Sequence, residues 1–518
     1  MQVKILNPLI VISLSMFAIS VCGCLSSENV TREIYTPQQF EKTPSPFLKV
    51  HMMNGELYVL SGWGVDGSSR QITGSGKHYD FNRNLIDTGS VAIPLDSIAL
   101  FETNVVRPVP EVAPMAIITG VSVAMTIYCL TNPKACFGSC PTFYVWNGER
   151  MQVQSEAFSS SVMPALERTD IDHLYSARPP NRNLQIELTN EAMETHVIKC
   201  AHLLIARHDP GNRVFVTPDN RFYEIDSISS PISATAPEGS CIDKLRKVDQ
   251  DERFSTADST DLASKENIEL TFGGVPGGRL GLVLGYRQTL LTTYLFYQGL
   301  AYMGSRVGDW IATVQRDTTD YTSMVKKLFW GSVGSIDVMV MDDSGEWQKC
   351  GEFSEVGPIA TNVEMIPLPA ESSTHIRIRL RMTRGLWRLD YAALARIVRS
   401  ATPDIVEPSA VMRGDTILDE KSRMSLAGAG GPLVTMPGDR YSIVYGLPED
   451  FRNCELFMEA RGYYLEWVRK EWVAEENPAM TMTMFSNPAG YLKLLAPKFK
   501  QVEPEMEDSF WRSKYVRH

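Results

Sequence analysis

Apolar and polar residues alternate in short runs along most of this chain, and turn-forming residues separate the runs. Leu48-Lys49-Val50-His51-Met52 alternates, Asn54-Gly55 is a hairpin dipeptide, and Glu56-Leu57-Tyr58-Val59-Leu60 answers the first run. Further strand patterns fall at 91–101, 197–206, 213–216, 268–272 and 280–287. Ile336 to Val340 turns back through Asp342-Asp343-Ser344-Gly345 to Trp347, and strands follow at 363–368, 376–382 and 387–391. A helical period interrupts this pattern at 289–310, where Tyr294, Phe296, Tyr297 and Tyr302 form an aromatic stripe. From Tyr441 onward a strand at 441–445 is followed by aromatic-rich segments, 455–515, that read as helical.

The pattern predicts a mainly β, multi-domain protein with helical segments near the C-terminus. Its expected divisions are a leader at 1–23, a tether at 24–46, a small β unit at 47–107, and an apolar helix at 113–133. A β module at 136–248, a polar linker at 249–265, a second β unit at 266–400 and a strand-plus-helix region at 401–518 follow. The hairpin, kinked strand and I-P-L-x-x-I order of the first unit, with Ile93-Pro94-Leu95 and Ile98, resembles Sm-like or SH3-type open barrels. In the second unit the order of strand, Trp347, Gly357-Pro358, strand, Arg377-x-Arg379 and Trp387-Arg388-Leu389-Asp390 resembles a galactose-binding-like jelly roll. These resemblances imply a small N-terminal open barrel and β-sandwich or jelly-roll units.

The first 23 residues carry one early cation, Lys4, and then an apolar run from Leu9 to Val21, the layout of a secretory signal. The run ends Val21-Cys22-Gly23-Cys24, which resembles the bacterial lipobox, with an aliphatic at −3, a small residue at −1 and a thiol that becomes diacylated. The resemblance implies lipidation of Cys24 and attachment to a membrane through that anchor. Leu25 is not the aspartate that retains enterobacterial lipoproteins in the inner membrane, so it points to the outer membrane of a bacterial cell envelope. A plain signal peptide, or an uncleaved anchor helix with a chance cysteine, is the alternative. The apolar stretch 115–130 is shorter than the roughly 20 residues of a bilayer span, so a buried or interfacial helix competes with a spanning one.

Charge narrows the partners. Fifty Lys and Arg against 61 Asp and Glu leave a net charge of −11, which argues against nucleic acid and against grip on anionic lipid by polybasic attraction. Nine cysteines include no C-x-x-C pair. Cys129, Cys136 and Cys140 cluster without a neighbouring histidine, so a local disulfide, Cys136–Cys140 or Cys129–Cys140, is expected rather than a metal site. Cys200, Cys241, Cys350 and Cys454 stand singly and read as core thiols, with one distant pair among them as the alternative.

Cys140-Pro141-Thr142-Phe143-Tyr144-Val145-Trp146-Asn147-Gly148 opens a run of further motifs: Glu156-x-Phe158, Leu166-x-x-Thr169-Asp170, and Leu188-Thr189-Asn190-Glu191 with Glu194-Thr195. Together they resemble an uncharacterised module of secreted bacterial proteins marked by C-P-x-x-Y-x-W-x-G, which carries no known activity. The resemblance runs, with gaps, from Cys140 to about Tyr515.

Of the chemistry-bearing patterns, Arg377, Arg379 and Arg381 alternate with Ile376, Ile378, Leu380 and Met382. They would share one sheet face, able to meet an anionic ligand or to pair with carboxylates. Trp387-Arg388-Leu389-Asp390 reads as a structural tryptophan with an Arg–Asp pair. Thr73-Gly74-Ser75-Gly76-Lys77-His78 fails as a phosphate loop, since Gln71 and His78 stand where a glycine and a hydroxyl residue are needed. His196, His202 and His208, six apart, would share a face only on one continuous strand. Glu167, Asp170 and Glu187 could supply a glycosidase pair, and Arg413-Gly414-Asp415 is a commonplace tripeptide. No G-x-S-x-G or H-E-x-x-H occurs. The reading is a non-catalytic, lipid-anchored envelope protein that binds a glycan or an envelope protein, without cofactor or metal. A carbohydrate-active hydrolase using paired carboxylates, or an accessory subunit of an export or outer-membrane assembly, is the alternative.

Overall fold

A computed structural model describes residues 28–35, 47–66, 70–80, 85–108, 140–190, 194–274, 277–307, 333–354, 356–369, 375–414, 417–436, 438–466, 475–512 and 516–517. Cys24, Cys136 and the apolar stretch 113–133 lie outside these residues. The chain divides into two compact units, Met1–Thr119 and Gly120–His518. Both are built mainly of antiparallel β-strands, and the multi-domain, mainly β expectation holds. Among the described residues no helix is long and apolar enough to cross a membrane.

The first unit is a six-stranded half-barrel in the order Glu28–Tyr35, Ile98–Pro108, Phe47–Met52, Leu57–Asp66, Gln71–Tyr79, Leu85–Pro94. Its alternating residues Leu48, Val50, Leu60, Ile72, Ile93 and Phe101 are buried together, as the period-two pattern requires. Gly55, at φ 83°, makes the Asn54-Gly55 turn. The sheet takes its outermost strand, Glu28–Tyr35, from the stretch expected to be a tether. The phosphate-loop mimic is the extended strand Gln71–Tyr79, where a side chain at Gly76 would strike the Val59 carbonyl oxygen.

The second unit contains two β assemblies, one inserted within the other. One face of the outer assembly is the sheet Ile417–Leu418, Ala410–Arg413, Arg440–Gly446, Asn183–Thr189, Thr142–Trp146, Met151–Glu156, Val516–Arg517. The other is Asp404–Val406, Glu194–Arg207, Cys454–Glu466, Arg168–His173, with Leu433–Thr435 beside it. Phe143, Val145, Ile186, Leu188, Ile198, Leu203, Ile443 and Met458 fill the space between them. Residues 404–466 therefore complete the module that begins at Cys140, and they do not form a separate C-terminal region. The segment Cys454–Glu466, read as helical, is a strand. Leu456, Met458 and Ala460 face one apolar layer and Phe457 the other, so burial on both sides erased the period-two signal.

The inserted assembly uses residues 213–401. A six-stranded sheet, Arg213–Val216, Phe222–Ser229, Trp387–Ala401, Arg279–Gln288, Asn362–Pro367, with Arg253–Phe254 paired to Trp387–Ala401, curls until its two edge strands meet. Phe215, Tyr223, Val283, Met365 and Ala393 lie on one face of it. On the other face Leu282, Leu284 and Leu394 pack against Ile268, Leu270, Ile378 and Val338 of a six-stranded sheet. That sheet runs Gly239–Ser240, Ser233–Ala236, Lys265–Gly273, His375–Thr383, Ile336–Met341, Trp347–Phe353. The helices Leu291–Met303, Pro478–Ser486 and Pro488–Arg512 join the same core through Leu295, Met484, Leu495 and Phe499.

Segment 249–265, expected to be a mobile linker, is pinned. Arg253, 3% exposed, forks onto Glu266 at 2.5 and 3.1 Å, and Asp390 accepts the backbone N–H of Gln250 at 3.0 Å. Trp387 is in the core as expected, but Arg388 does not pair with Asp390. It bridges Glu252 at 3.5 Å and Glu507 of the C-terminal helix at 2.6 Å, while Asp390 is occupied by backbone.

The motif residues lock these layers. Glu156, 4% exposed, accepts the backbone N–H of Ile359 at 2.7 Å and thereby holds the Gly357-Pro358 turn. A Cβ at Gly357 would stand 2.0 Å from the Glu156 carboxyl oxygen. Gly357→Ala should therefore cost about 1–3 kcal/mol, by displacing the carboxyl from its donors or straining the turn. Urea unfolding of the variant against wild type checks this, and equal midpoints would show that Glu156 does not hold the turn.

Candidate functional site

Packing fixes the inner face of the strand His375–Thr383. Ile376, Ile378, Leu380 and Met382 are at most 1% exposed, which turns Arg377, Arg379 and Arg381 outward. Register places Thr271, Glu269 and Asn267 opposite them on one neighbour, and Met339 and Asp337 opposite Arg379 and Arg381 on the other. Glu269 is shared. Its Oε2 accepts from Arg377 Nη2 at 3.0 Å, and its Oε1 from Arg379 Nη2 at 2.5 Å. These hydrogen bonds, Arg379's first, hold the Glu269 carboxyl below its ordinary range despite partial burial. The Arg379 guanidinium lies 4.1 Å over the Trp347 ring, and that of Arg377 is 5.6 Å from it. Asp337 is engaged by Lys349 at 2.6 Å, and among the described residues Arg381 forms no ion pair. The face thus offers three guanidinia and an indole, with Glu269 shared by two of the guanidinia and Asp337 engaged by Lys349, which is an arrangement suited to anionic or sugar-bearing ligands.

A second group lies inside. The edge strand Arg168–His173 meets the edge strand Asn362–Pro367, and Asp170, Asp172 and Glu364 gather there. Asp172, 3% exposed, accepts from Ser155 Oγ at 2.5 Å, and Glu364 accepts from Tyr286 Oη at 2.6 Å. Burial first, and then the charge of Asp170, push the Asp172 carboxyl well above its ordinary range. Burial likewise lifts Glu364 to about 7, with Asp170 adding to it and the Tyr286 hydrogen bond opposing it. Two acids with raised proton affinity resemble a hydrolase pair in chemistry, but Asp172 is closed off by the packing that raises it. The carboxylates singled out in the sequence are used separately. Glu167 binds Lys199 and Arg461, Asp170 binds Arg168 and the Phe158 N–H, and Glu187 binds Arg440.

Sequence reasoning missed one group. The strand Glu194–Arg207 is long enough to carry both His196 and His202, yet they face opposite ways because the register slips between Ile198 and Cys200. Ile198 and then Ala201, Leu203 and Ile205 enter the same core, so Lys199 is the extra residue of a β-bulge. His196 is fully buried, and its Nε2 lies 3.1 Å from Glu194. The bulge brings Cys200 and His202 to the other face, half-buried, where Nδ1 of His202 meets Glu459 at 2.9 Å. That hydrogen bond, against partial burial, raises the proton affinity of His202, and burial with the Glu459 charge raises that of the Cys200 thiol. Cys200 is thus no core thiol. The only signal in the sequence was the C-x-H spacing, which shares a face on any regular strand.

No protein-family profile matches the chain, and no curated protein matches it. Among solved structures it is similar to wild-type BuGH86 in complex with neoagarooctaose, at 8% identity and a TM-score of 0.15, over 42% of this chain and 33% of that one. It is also similar to the cycloalternan-forming enzyme from Listeria monocytogenes in complex with pentasaccharide substrate, at 9% identity and a TM-score of 0.16, over 72% and 31% respectively. The chain spans about a third of the length of these enzymes, and at such TM-scores no inference passes from them to it.

The acids between the two edge strands set a pH dependence. The Glu364 carboxyl keeps its proton more tightly in the folded chain than in the unfolded one. Its contribution to stability is therefore greatest below the ordinary carboxylate range and falls as pH rises toward about 7. Glu364→Gln removes that ionisation and keeps an acceptor for Tyr286. Between about pH 5 and about pH 8 the variant should gain on the order of 1–3 kcal/mol relative to wild type. Urea midpoints at the two pH values test this, and parallel curves would refute it.

Proposed function

We propose that the chain is a non-catalytic binding protein of the bacterial cell envelope, anchored by lipid on Cys24, and that its ligand is an anionic glycan. The observation that carries the ligand class is the outward face of Arg377, Arg379 and Arg381 beside Trp347, where Arg377 and Arg379 share the Glu269 carboxylate. Guanidinia bind sulfate, phosphate or carboxylate groups through paired hydrogen bonds, and an indole offers an apolar plane to a sugar ring. The lipobox-like Val21-Cys22-Gly23-Cys24 supports the anchor.

A carbohydrate-active hydrolase is the second reading, and the raised pair Asp172 and Glu364 is what favours it. Against it stands the enclosure of Asp172, which a substrate could reach only by parting packed strands.

Two measurements test the proposal. In binding titrations with a sulfated or uronic polysaccharide, Arg377→Ser with Arg381→Ser should weaken affinity at least about tenfold. Glu269→Gln, which removes the competing carboxylate, should tighten binding. Loss of affinity in the Glu269 variant, or none in the arginine variant, would rule the face out. For the anchor, palmitate label sensitive to globomycin should enter the wild type and be lost in Cys24→Ala. Absence of label in both would remove the lipid-anchored reading.

A further inference from the structure

We propose that Cys200, His202 and Glu459 form a divalent-metal site of zinc type on the outer face of the long strand pair Glu194–Arg207 and Cys454–Glu466. One ligand atom from each lies within 4.8 Å of the other two. Thiolate sulfur, imidazole nitrogen and carboxylate oxygen are the three donors that zinc accepts, and a mixed S, N, O set excludes magnesium and calcium, which demand oxygen alone.

The backbone is shaped for this cluster. Register sets His202 directly opposite Glu459, and Cys200 opposite Arg461. Without the bulge at Lys199 the thiol would point into the apolar layer beside Ile198, and Ala201 would turn away from it. The bulge is itself held from outside, since Glu167 takes Lys199 Nζ at 2.5 Å and Arg461 Nε at 2.7 Å. Those two cations are thereby drawn to Glu167, which limits their competition for the site.

The second ring nitrogen of His202 completes the argument. Nε2 lies 3.4 Å from the carbonyl oxygen of Ala427, at the end of the helix Glu420–Leu426. With Nδ1 turned to the metal, Nε2–H donates to a backbone carbonyl, the outer contact that fixes ring orientation in metal-bound histidines. Gly428 stands beside the group, where a Cβ would come 3.7 Å from Cys200 Cβ and 3.9 Å from His202 Nε2. Tetrahedral zinc ligands stand about 3.3–3.6 Å apart. The 2.9 Å between Nδ1 and Glu459 therefore needs to open by only a few tenths of an ångström as the metal replaces the shared proton. Three protein ligands leave a further position for water or an exogenous group.

Cobalt is the probe, because thiolate ligation gives a near-ultraviolet charge-transfer band that nitrogen and oxygen ligands do not. The full-length chain, stripped with chelator, should take up one equivalent of Co²⁺ with that band, and Zn²⁺ should displace it. Cys200→Ser should abolish the band, while His202→Gln and Glu459→Gln should each weaken Zn²⁺ binding by about tenfold or more. Cys454→Ser should leave both unchanged. Zn²⁺ should raise the wild-type melting temperature and not that of Cys200→Ser. Should the serine variant fail to fold, Glu459→Gln carries the same comparison. A band that survives in Cys200→Ser, equal affinity in Glu459→Gln, or no uptake of either metal overturns the proposal.

Discussion

The second unit depends on the pairing of Glu194–Arg207 with Cys454–Glu466. His202 and Glu459 are 257 residues apart in sequence, and bringing them side by side closes a loop that contains the whole inserted assembly. That closure has to be offset by burial on both sides of the ribbon. Leu203, Ile205 and Met458 face one apolar layer, while Leu204, Ala206 and Phe457 face another. The ribbon also carries a buried charge. Burial alone would raise Glu455, but hydrogen bonds and charges from His173 and Arg213 outweigh it and hold the carboxyl down at about 2. Arg213 belongs to the inserted assembly and His173 to the outer one, so this one carboxylate ties the two together across their shared layer.

Seen this way, the motifs that mark the chain are devices for satisfying backbone. Phe143 and Val145 enter one core and Tyr144 another, so Thr142–Trp146 is a strand apolar on both faces, and Gly148 at φ 103° ends it. Asp170 accepts the Phe158 N–H at 2.9 Å, where Phe158 itself sits at φ 43°. Asn190, itself buried, donates to the carbonyls of Glu194 and Thr435 at 2.9 and 3.1 Å. Each is a polar group whose removal would leave a buried partner unmet. Such residues are accounted for by what the fold itself needs.

What was legible in the sequence follows the same physics. Strands solvated on one face announced themselves by alternation, and Arg377, Arg379 and Arg381 stand outward where that alternation put them. The Asn54-Gly55 hairpin and the turn from Asp342 to Gly345 were equally plain, since both depend on local geometry. Strands buried on both faces, such as Cys454–Glu466, lost the pattern and read as helix. The Cys200 group was illegible for two further reasons. Its glutamate comes from a distant strand, and its orientation depends on one extra residue at Lys199, which no periodicity records. Residues 249–265 looked like a linker because they are polar, but their polarity is spent inside, Arg253 on Glu266, the Gln250 N–H on Asp390 and Glu252 on Arg287.

The two outward clusters differ from the rest of the charged surface in what stability asks of them. Most exposed ion pairs here join one cation to one anion, as Arg70 to Asp96 and Arg182 to Glu449, and such pairs contribute little to folding. Glu269 instead holds two arginines, with a third beside them that no carboxylate answers among the described residues. Gathering like charges on one sheet face costs Coulomb energy that the inner face, already filled by Ile376, Ile378 and Leu380, does not recover. The same reasoning applies to a thiol turned out of the core by a bulge, since a regular strand would have buried it without loss. Packing accounts for neither arrangement, and a chain with a net charge of −11 has no general reason to collect cations. Both clusters are therefore arrangements that packing alone does not require.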